Sequence, residues 1–320
     1  MKLLAGSIAL FAALVAGGAA GQNKVTLSIS TGPTTGVYYP LGGGIANVLS
    51  KHVPGYAANA ETTAGSVANL QLMGQKKSDV ALSMADAAWD GFKGQGRFAT
   101  GAVPVRALMV AYPNRMHVVT VEGSGIQKIA DLKGKRVSTG AANSATEVMA
   151  ARVLEALGLD IEKDIKRERL DPGKSSDAIK DRKLDAYFWV GGIPTAAVTD
   201  LGATPGMKLK LVDHADAVDA MNRKYGPLYT RDTIPAKAYP GQEQPNQVAT
   251  VWNLIVARED MPQEVAYNIV KTIFERKSEL VLVHKEAENF DLRHQSLSAA
   301  SIPYHPGALK YFAERGLTLK

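Results

Sequence analysis

Four short segments of the chain are dense in glycine and hydroxyl residues: 31–38 (TGPTTGVY), 64–69 (AGSVAN), 143–147 (NSATE) and 172–176 (PGKSS). Each leads into a stretch with helical character. Its backbone N–H groups, its hydroxyls and the positive end of a helix dipole are therefore positioned to cradle an anion such as a carboxylate. Helix capping and turn formation alone would explain one such loop. Four loops aimed at one cleft make a binding site. The candidates they supply are Thr31, Gly32, Thr35, Gly36 and Tyr38, then Ser66 and Asn69, then Asn143, Ser144, Thr146 and Glu147. Trp189 precedes Gly191 and Gly192, where the backbone can approach a ligand closely and the indole can cover it. A tryptophan of the domain core is the equal alternative. Of Tyr38 and Tyr39, one faces the cleft and the other packs at the helix start. Asp86 and Glu147 lie near helix starts, where an acid already favours the dipole. Lys174 is the one cation within the loops, so recognition rests on neutral donors. If Asp86 or Glu147 faces the cleft, it would meet an ammonium group and make the ligand an amino acid.

Other chemistries are poorly served. Gly173-Lys174-Ser175 lacks the glycine that a phosphate-binding loop needs five residues earlier, where Glu168 stands. The histidines (52, 117, 214, 284, 294 and 305) show no paired metal-ligand spacing, there is no G-x-S-x-G elbow, and the chain has 0 cysteines. The expectation is a binding protein with no metal, no cofactor and no catalysis. An exported enzyme, or a sensor that presents its ligand to a membrane signalling protein, would use the same architecture.

The elements that must position these loops alternate. Strand-like runs fall at 25–30, 80–83, 106–112, 117–121, 136–139, 186–190 and 248–257, and helix-like runs at 41–51, 67–76, 146–157, 175–182, 262–278 and 306–315. Such alternation predicts parallel sheets covered by helices. The first half also resembles the second. Ser30-Thr31-Gly32 recurs as Ser138-Thr139-Gly140 and Gly65-Ser66 as Gly173-Lys174-Ser175, both 108 residues on, while Asp79-Val80-Ala81 recurs 106 residues on as Asp185-Ala186-Tyr187. Three features in the same order predict two similar α/β lobes. Ligands of such sheets sit beyond the carboxyl ends of the strands, where the loops lie. Crossing strands near 117–121 and 248–256 would place residues 24–115 plus 258–320 in lobe one and 116–257 in lobe two.

Residues 1–22 have the outline of a secretory signal peptide: Lys2, an apolar run to Val15, then small residues. Export without disulfides fits a bacterial periplasm. The net charge of +6 is spread over the chain with no basic stripe, so nucleic acid is not the partner.

The segment Thr31-Gly32-Pro33-Thr34-Thr35-Gly36-Val37-Tyr38-Tyr39-Pro40-Leu41-Gly42 resembles the N-terminal motif of the TAXI family. These are solute receptors of tripartite ATP-independent periplasmic (TRAP) transporters. Gly65-Ser66-Val67-Ala68-Asn69-Leu70, Gly134-Lys135-Arg136-Val137-Ser138, Ser144-Ala145-Thr146-Glu147, Gly191-Gly192-Ile193-Pro194-Thr195 and His305-Pro306-Gly307-Ala308 follow in the family's order. The resemblance implies an α/β, two-lobed type II periplasmic-binding-protein fold with two crossing hinge strands. It further implies carriage of glutamate, glutamine, 2-oxoglutarate or a similar organic acid and delivery to integral membrane TRAP subunits, and the receptor is expected to be a monomer. Ligand contacts carried over by position are Gly36, Tyr38, Ser66, Asn69, Ser144 and Thr146. Two departures bear on the ligand. Asn143 and Ala145 stand where the family often has glycine, and Met84 stands where it often has Gln.

Overall fold

The computed structural model describes residues 24–319, and the expected signal peptide at 1–22 lies outside them. Ten strands form its sheet: β1 (Val25–Ser30), β2 (Tyr56–Glu61), β3 (Val80–Met84), β4 (Val105–Val121), β5 (Arg136–Ser138), β6 (Lys166–Glu168), β7 (Ala186–Gly191), β8 (Leu209–Leu211), β9 (Tyr229–Ile234) and β10 (Asn246–Arg258). The order is β2-β1-β3-β10-β4-β7-β5-β6, with β8 on β4 and β9 on β10. The repeat seen in the sequence is visible in this order. β1 lies parallel between β2 and β3, and β5 lies parallel between β6 and β7. Between the two triplets run the long antiparallel strands β10 and β4. The ladder is continuous because these two strands reach past both triplets.

Every residue of β3 (VALSM) and of β7 (AYFWVG) is buried, as expected of sheet covered by helices on both faces. Packed around the first triplet are the helices Tyr38–His52, Ser66–Gly74 and Ala85–Lys93; those around the second include Ala145–Ala156, Pro172–Lys180 and Ala196–Ala203. Near the C-terminus, helices Gln263–Glu275 and Pro306–Glu314 pack on each other through Tyr267, Phe274, Tyr311 and Phe312.

One expected boundary is corrected. Strands at 106–112 and 117–121 are a single strand, β4, running through Pro113. Proline offers no N–H to a ladder and is tolerated at irregularities. Here Pro113 pairs with Trp252, and the register shifts immediately beyond, between Trp252 and Leu254. Tyr112, Pro113 and Asn114 thus sit at an irregularity of the ladder between the two triplets.

Candidate functional site

The loops at the carboxyl ends of β1, β2, β3, β5 and β7 converge on a small cavity of about 30 Å³. From the first half of the chain it is lined by Pro33, Gly36, Val37 and Tyr38, by Ala64, Gly65 and Ser66, and by Met84. From the second half come Ser144, Ala145 and Thr146, and Trp189, Val190 and Gly191. Tyr112 and Asn114 of β4 complete it. Three helices, Tyr38–His52, Ser66–Gly74 and Ala145–Ala156, begin at lining residues. No hydrogen bond among the described residues uses the N–H groups of Ser66, Val67, Ala145 or Thr146. They are the open donors that every helix start leaves. Gly65 turns the chain into its helix at φ +119°, which a side-chain-bearing residue rarely adopts.

The hydroxyls are held in place. Ser66 Oγ accepts from Met84 N–H at 3.1 Å and lies 3.4 Å from Tyr38 Oη, which donates to Asn253 Oδ1. Ser144 caps its helix by accepting from Glu147 N–H at 3.1 Å and donates to the Ala141 carbonyl at 2.6 Å. Thr146 Oγ1 accepts from Val190 N–H at 3.3 Å. Trp189 is fixed by its Nε1–H donating to Thr195 Oγ1 at 2.9 Å. Its ring then lies over Gly36 so closely that a methyl carbon on Gly36 would be 2.9 Å from Cη2.

The two halves meet around this cavity. Ala68 N–H donates to the Asn143 carbonyl at 3.0 Å and Ala197 N–H to the Thr35 carbonyl at 3.3 Å. Ile193 N–H donates to Glu286 Oε1 at 2.7 Å. A buried cluster adds to this. Arg152 bonds Asp90 and lies 3.6 Å from Asp86 Oδ2, and Tyr229 Oη donates to Asp86 at 2.8 Å. Burial pushes the Asp86 carboxyl up, while Arg152, Tyr229 and the Ala87 N–H pull it back.

Of the residues singled out from sequence, the structure brings Gly36, Tyr38, Ser66, Ser144, Thr146 and Trp189 to the cavity. Tyr39 is exposed, so Tyr38 is the tyrosine that faces inward. Thr31, Gly32, Thr35, Asn69, Asp86, Asn143, Glu147 and Gly192 do not line it. Asn69 spends its amide on the carbonyls of Thr31 (2.7 Å) and Leu82 (2.8 Å), tying β1 to β3. Thr31 Oγ1 donates to the Glu61 carbonyl at 2.6 Å, and Gly32 packs under Tyr38. Thr35 lies in an outer groove with Asp171 and Lys174. Asn143 is exposed and uses its backbone, at φ +62°. Glu147 is held by Arg97 at 3.1 Å, Arg167 at 2.8 Å and Arg169 at 2.8 Å. Gly192 packs against Glu286. Lys174 pairs with Asp171, and Arg106 pairs with Glu259 away from the cavity.

Tyr112 and Asn114 were not singled out. Both are buried, and Tyr112 Oη and Asn114 Oδ1 have no hydrogen-bond partner among the described residues. Asn114 Nδ2 donates to Asn253 Oδ1 at 3.1 Å. Burial raises the Tyr38 and Tyr112 phenols above the ordinary tyrosine range, so both remain O–H groups at neutral pH. The sequence signal was two polar residues flanking a proline inside an apolar strand. Among the described residues no cluster of three or more His, Asp and Glu could hold a metal ion.

This architecture, two parallel βαβ units joined through long antiparallel strands with a cavity at the strands' carboxyl ends, is the mixed α/β fold of periplasmic binding proteins. It is similar to the periplasmic aliphatic sulphonate binding protein SsuA from Escherichia coli, at TM-score 0.51 and 15% identity over 91% of this chain and 83% of that one. A binding protein component of an ABC phosphonate transporter from Pseudomonas aeruginosa gives 0.53 at 14% identity over 82% and 79%. A putative L-cystine ABC transporter protein from Listeria monocytogenes gives 0.50 at 15% identity over 83% and 95%. The chain itself belongs to the NMT1-like family, whose model matches residues 29–316.

Proposed function

We propose that the chain is an exported periplasmic solute-binding protein. It captures a small carboxylate (glutamate, glutamine, 2-oxoglutarate or a similar organic acid) by closing two lobes, and delivers it to a TRAP membrane transporter of the TAXI type. In this reading lobe one is 24–115 plus 258–320 and lobe two 116–257. β4 and β10 act as the hinge, and residues 1–22 direct export. The protein binds and releases its ligand without altering it.

The observation that carries the reading is the cavity. Helix N-termini from both halves meet there with unused N–H groups at Ser66, Val67, Ala145 and Thr146, the Thr146 hydroxyl keeps a proton to give, and no charged side chain lines the cavity. Such a set of neutral donors suits an anion taken out of water. A cation, which only donates, would leave those donors unpaired at about 1–3 kcal/mol each, and a sugar oxygen accepts without the charge that strengthens the bond to a carboxylate. A thermal-shift screen of organic acids, amino acids, sugars and polyamines tests it. Stabilisation by carboxylates is the expected result, and a response confined to sugars or polyamines would overturn it.

The neighbours from P. aeruginosa and L. monocytogenes carry ABC transport in their descriptions, which makes ATP-driven uptake the second reading. Uptake into vesicles containing the cognate permease separates the two. Drive by an ion gradient without ATP supports TRAP, and a requirement for ATP supports the alternative.

A further inference from the structure

We infer that Tyr112 and Asn114 read a neutral oxygen function, hydroxyl or oxo, on a carboxylate ligand that carries no ammonium group. The inference rests on the reading that the closed cavity is the carboxylate site.

Two observations carry it. First, the cavity offers nothing to balance an ammonium. No Asp or Glu is among its lining residues. The two acids that sequence placed near the cleft are already matched: Asp86 by Arg152 and the Tyr229 hydroxyl, Glu147 by three arginines. The open helix-start N–H groups can serve a carboxylate but have nothing to accept from an ammonium, so an α-amino acid is selected against. Second, the irregular stretch of β4 at Pro113 presents polar atoms with no partner among the described residues. Tyr112 is 0% and Asn114 1% exposed, both line the cavity, and Tyr112 Oη and Asn114 Oδ1 are unpartnered. Buried polar atoms are normally paired, so two on one cavity wall point to a ligand group.

The kind of group follows from the hydrogen-bond balance. As placed, Asn114 offers an acceptor and Tyr112 a hydroxyl that can donate or accept. If the amides of Asn114 and Asn253 are both turned over, Asn253 donates to Asn114 and the free atom of Asn114 becomes a donor. A ligand hydroxyl satisfies either arrangement, and an oxo group takes the Tyr112 proton. An ammonium, which only donates, satisfies one arrangement and lacks a counter-charge in both. Val37, Met84, Trp189 and Val190 supply the apolar part of the wall.

The test uses four acids of one skeleton that differ at C2: 2-hydroxyglutarate, 2-oxoglutarate, glutamate and glutarate. Each is titrated calorimetrically into wild-type protein and into Tyr112→Phe, which keeps the ring and removes only the oxygen. The hydroxy or oxo acid should bind wild type at least about tenfold tighter than glutamate. Tyr112→Phe should weaken that acid about three- to tenfold, as loss of one neutral hydrogen bond does, and leave glutarate unchanged. Unchanged thermal unfolding of the ligand-free variant shows that the fold is intact. Glutamate binding as tightly as the hydroxy and oxo acids overturns the inference while leaving the carboxylate site in place. So does equal weakening of all four acids by Tyr112→Phe. If none of the acids binds and the wider screen finds no carboxylate, the reading of the site falls and the inference falls with it.

Discussion

Trp189 lies against Gly36, so Gly36→Ala is a wedge at a contact that the proposed lobe closure would make. Gly36 sits in a backbone conformation open to any residue, and its N–H donates to the Pro33 carbonyl at 3.0 Å, a bond alanine keeps. The added methyl would lie 2.9 Å from Trp189 Cη2, 3.0 Å from Cζ2 and 3.3 Å from the Pro33 oxygen. Carbon atoms in contact prefer about 3.5–4.0 Å, so the ring and the loop must separate by roughly half an ångström or more. Trp189 cannot tilt freely, because its indole N–H is held by Thr195. The displacement therefore falls on the interface between the halves and on the donors around the ligand. Overpacking of this kind costs about 1–3 kcal/mol, and in a closure equilibrium that cost falls on the closed, ligand-bound state. We expect affinity to drop at least about tenfold, equivalent to about 1.4 kcal/mol. Unfolding of the ligand-free protein should change little. Calorimetric titration gives the first quantity and denaturant unfolding the second. Full affinity in a normally folded Gly36→Ala protein would refute the argument that closure presses Trp189 on this loop.

Other perturbations separate the roles of neighbouring residues. Ser144→Ala with Thr146→Ala should lower ligand affinity more than tenfold, at about 1.5–3 kcal/mol for the Thr146 hydrogen bond to a charged ligand, the Ser144 proton being spent on Ala141. Loss of the Ser144 cap should also cost about 1 kcal/mol of stability; titration and urea unfolding report the two effects. Arg152→Met leaves Asp86 and Asp90 without their cation and should destabilise the protein by about 3–5 kcal/mol, read from denaturant midpoints. Burial lowers His117 to about 3 and His214 to about 4, below the unfolded value of 6.5. The unfolded chain therefore binds more protons between those values. Stability falls as pH drops through 6.5, by about 2 kcal/mol for each histidine between pH 7 and pH 5. His117→Gln should remove about half of that loss, measured as urea midpoints at the two pH values.

Much of the positioning framework was legible in the chain because it depends on local pattern. The 108-residue echo between Ser30-Thr31-Gly32 and Ser138-Thr139-Gly140 corresponds to the strand ends of β1 and β5, and the hydroxyl loops after them reach the cavity. Strands β2 (YAANAE) and β6 (KRE) escaped notice because they lack the β-branched runs that announce strands; pairing with β1 and β5 makes them. Whether a polar loop residue turns toward a ligand or back into the scaffold is a tertiary matter. Asn69 and Thr31 bond neighbouring strands, and Glu147 gathers arginines from 97, 167 and 169, partners that helix-start patterns do not reveal. Tyr112 and Asn114 stayed hidden for the converse reason. Within an apolar strand they read as core, and only the tertiary fold shows that the face they share lies on the cavity wall.

The central claim is capture of a small carboxylate. Native mass spectrometry of protein incubated with an equimolar mixture of organic acids, amino acids, sugars and polyamines tests it most directly, followed by denaturation and identification of the released molecule. The account expects one small molecule per chain, bearing a carboxylate. A released molecule without a carboxylate, or a chain that takes up none of the mixture, would contradict it.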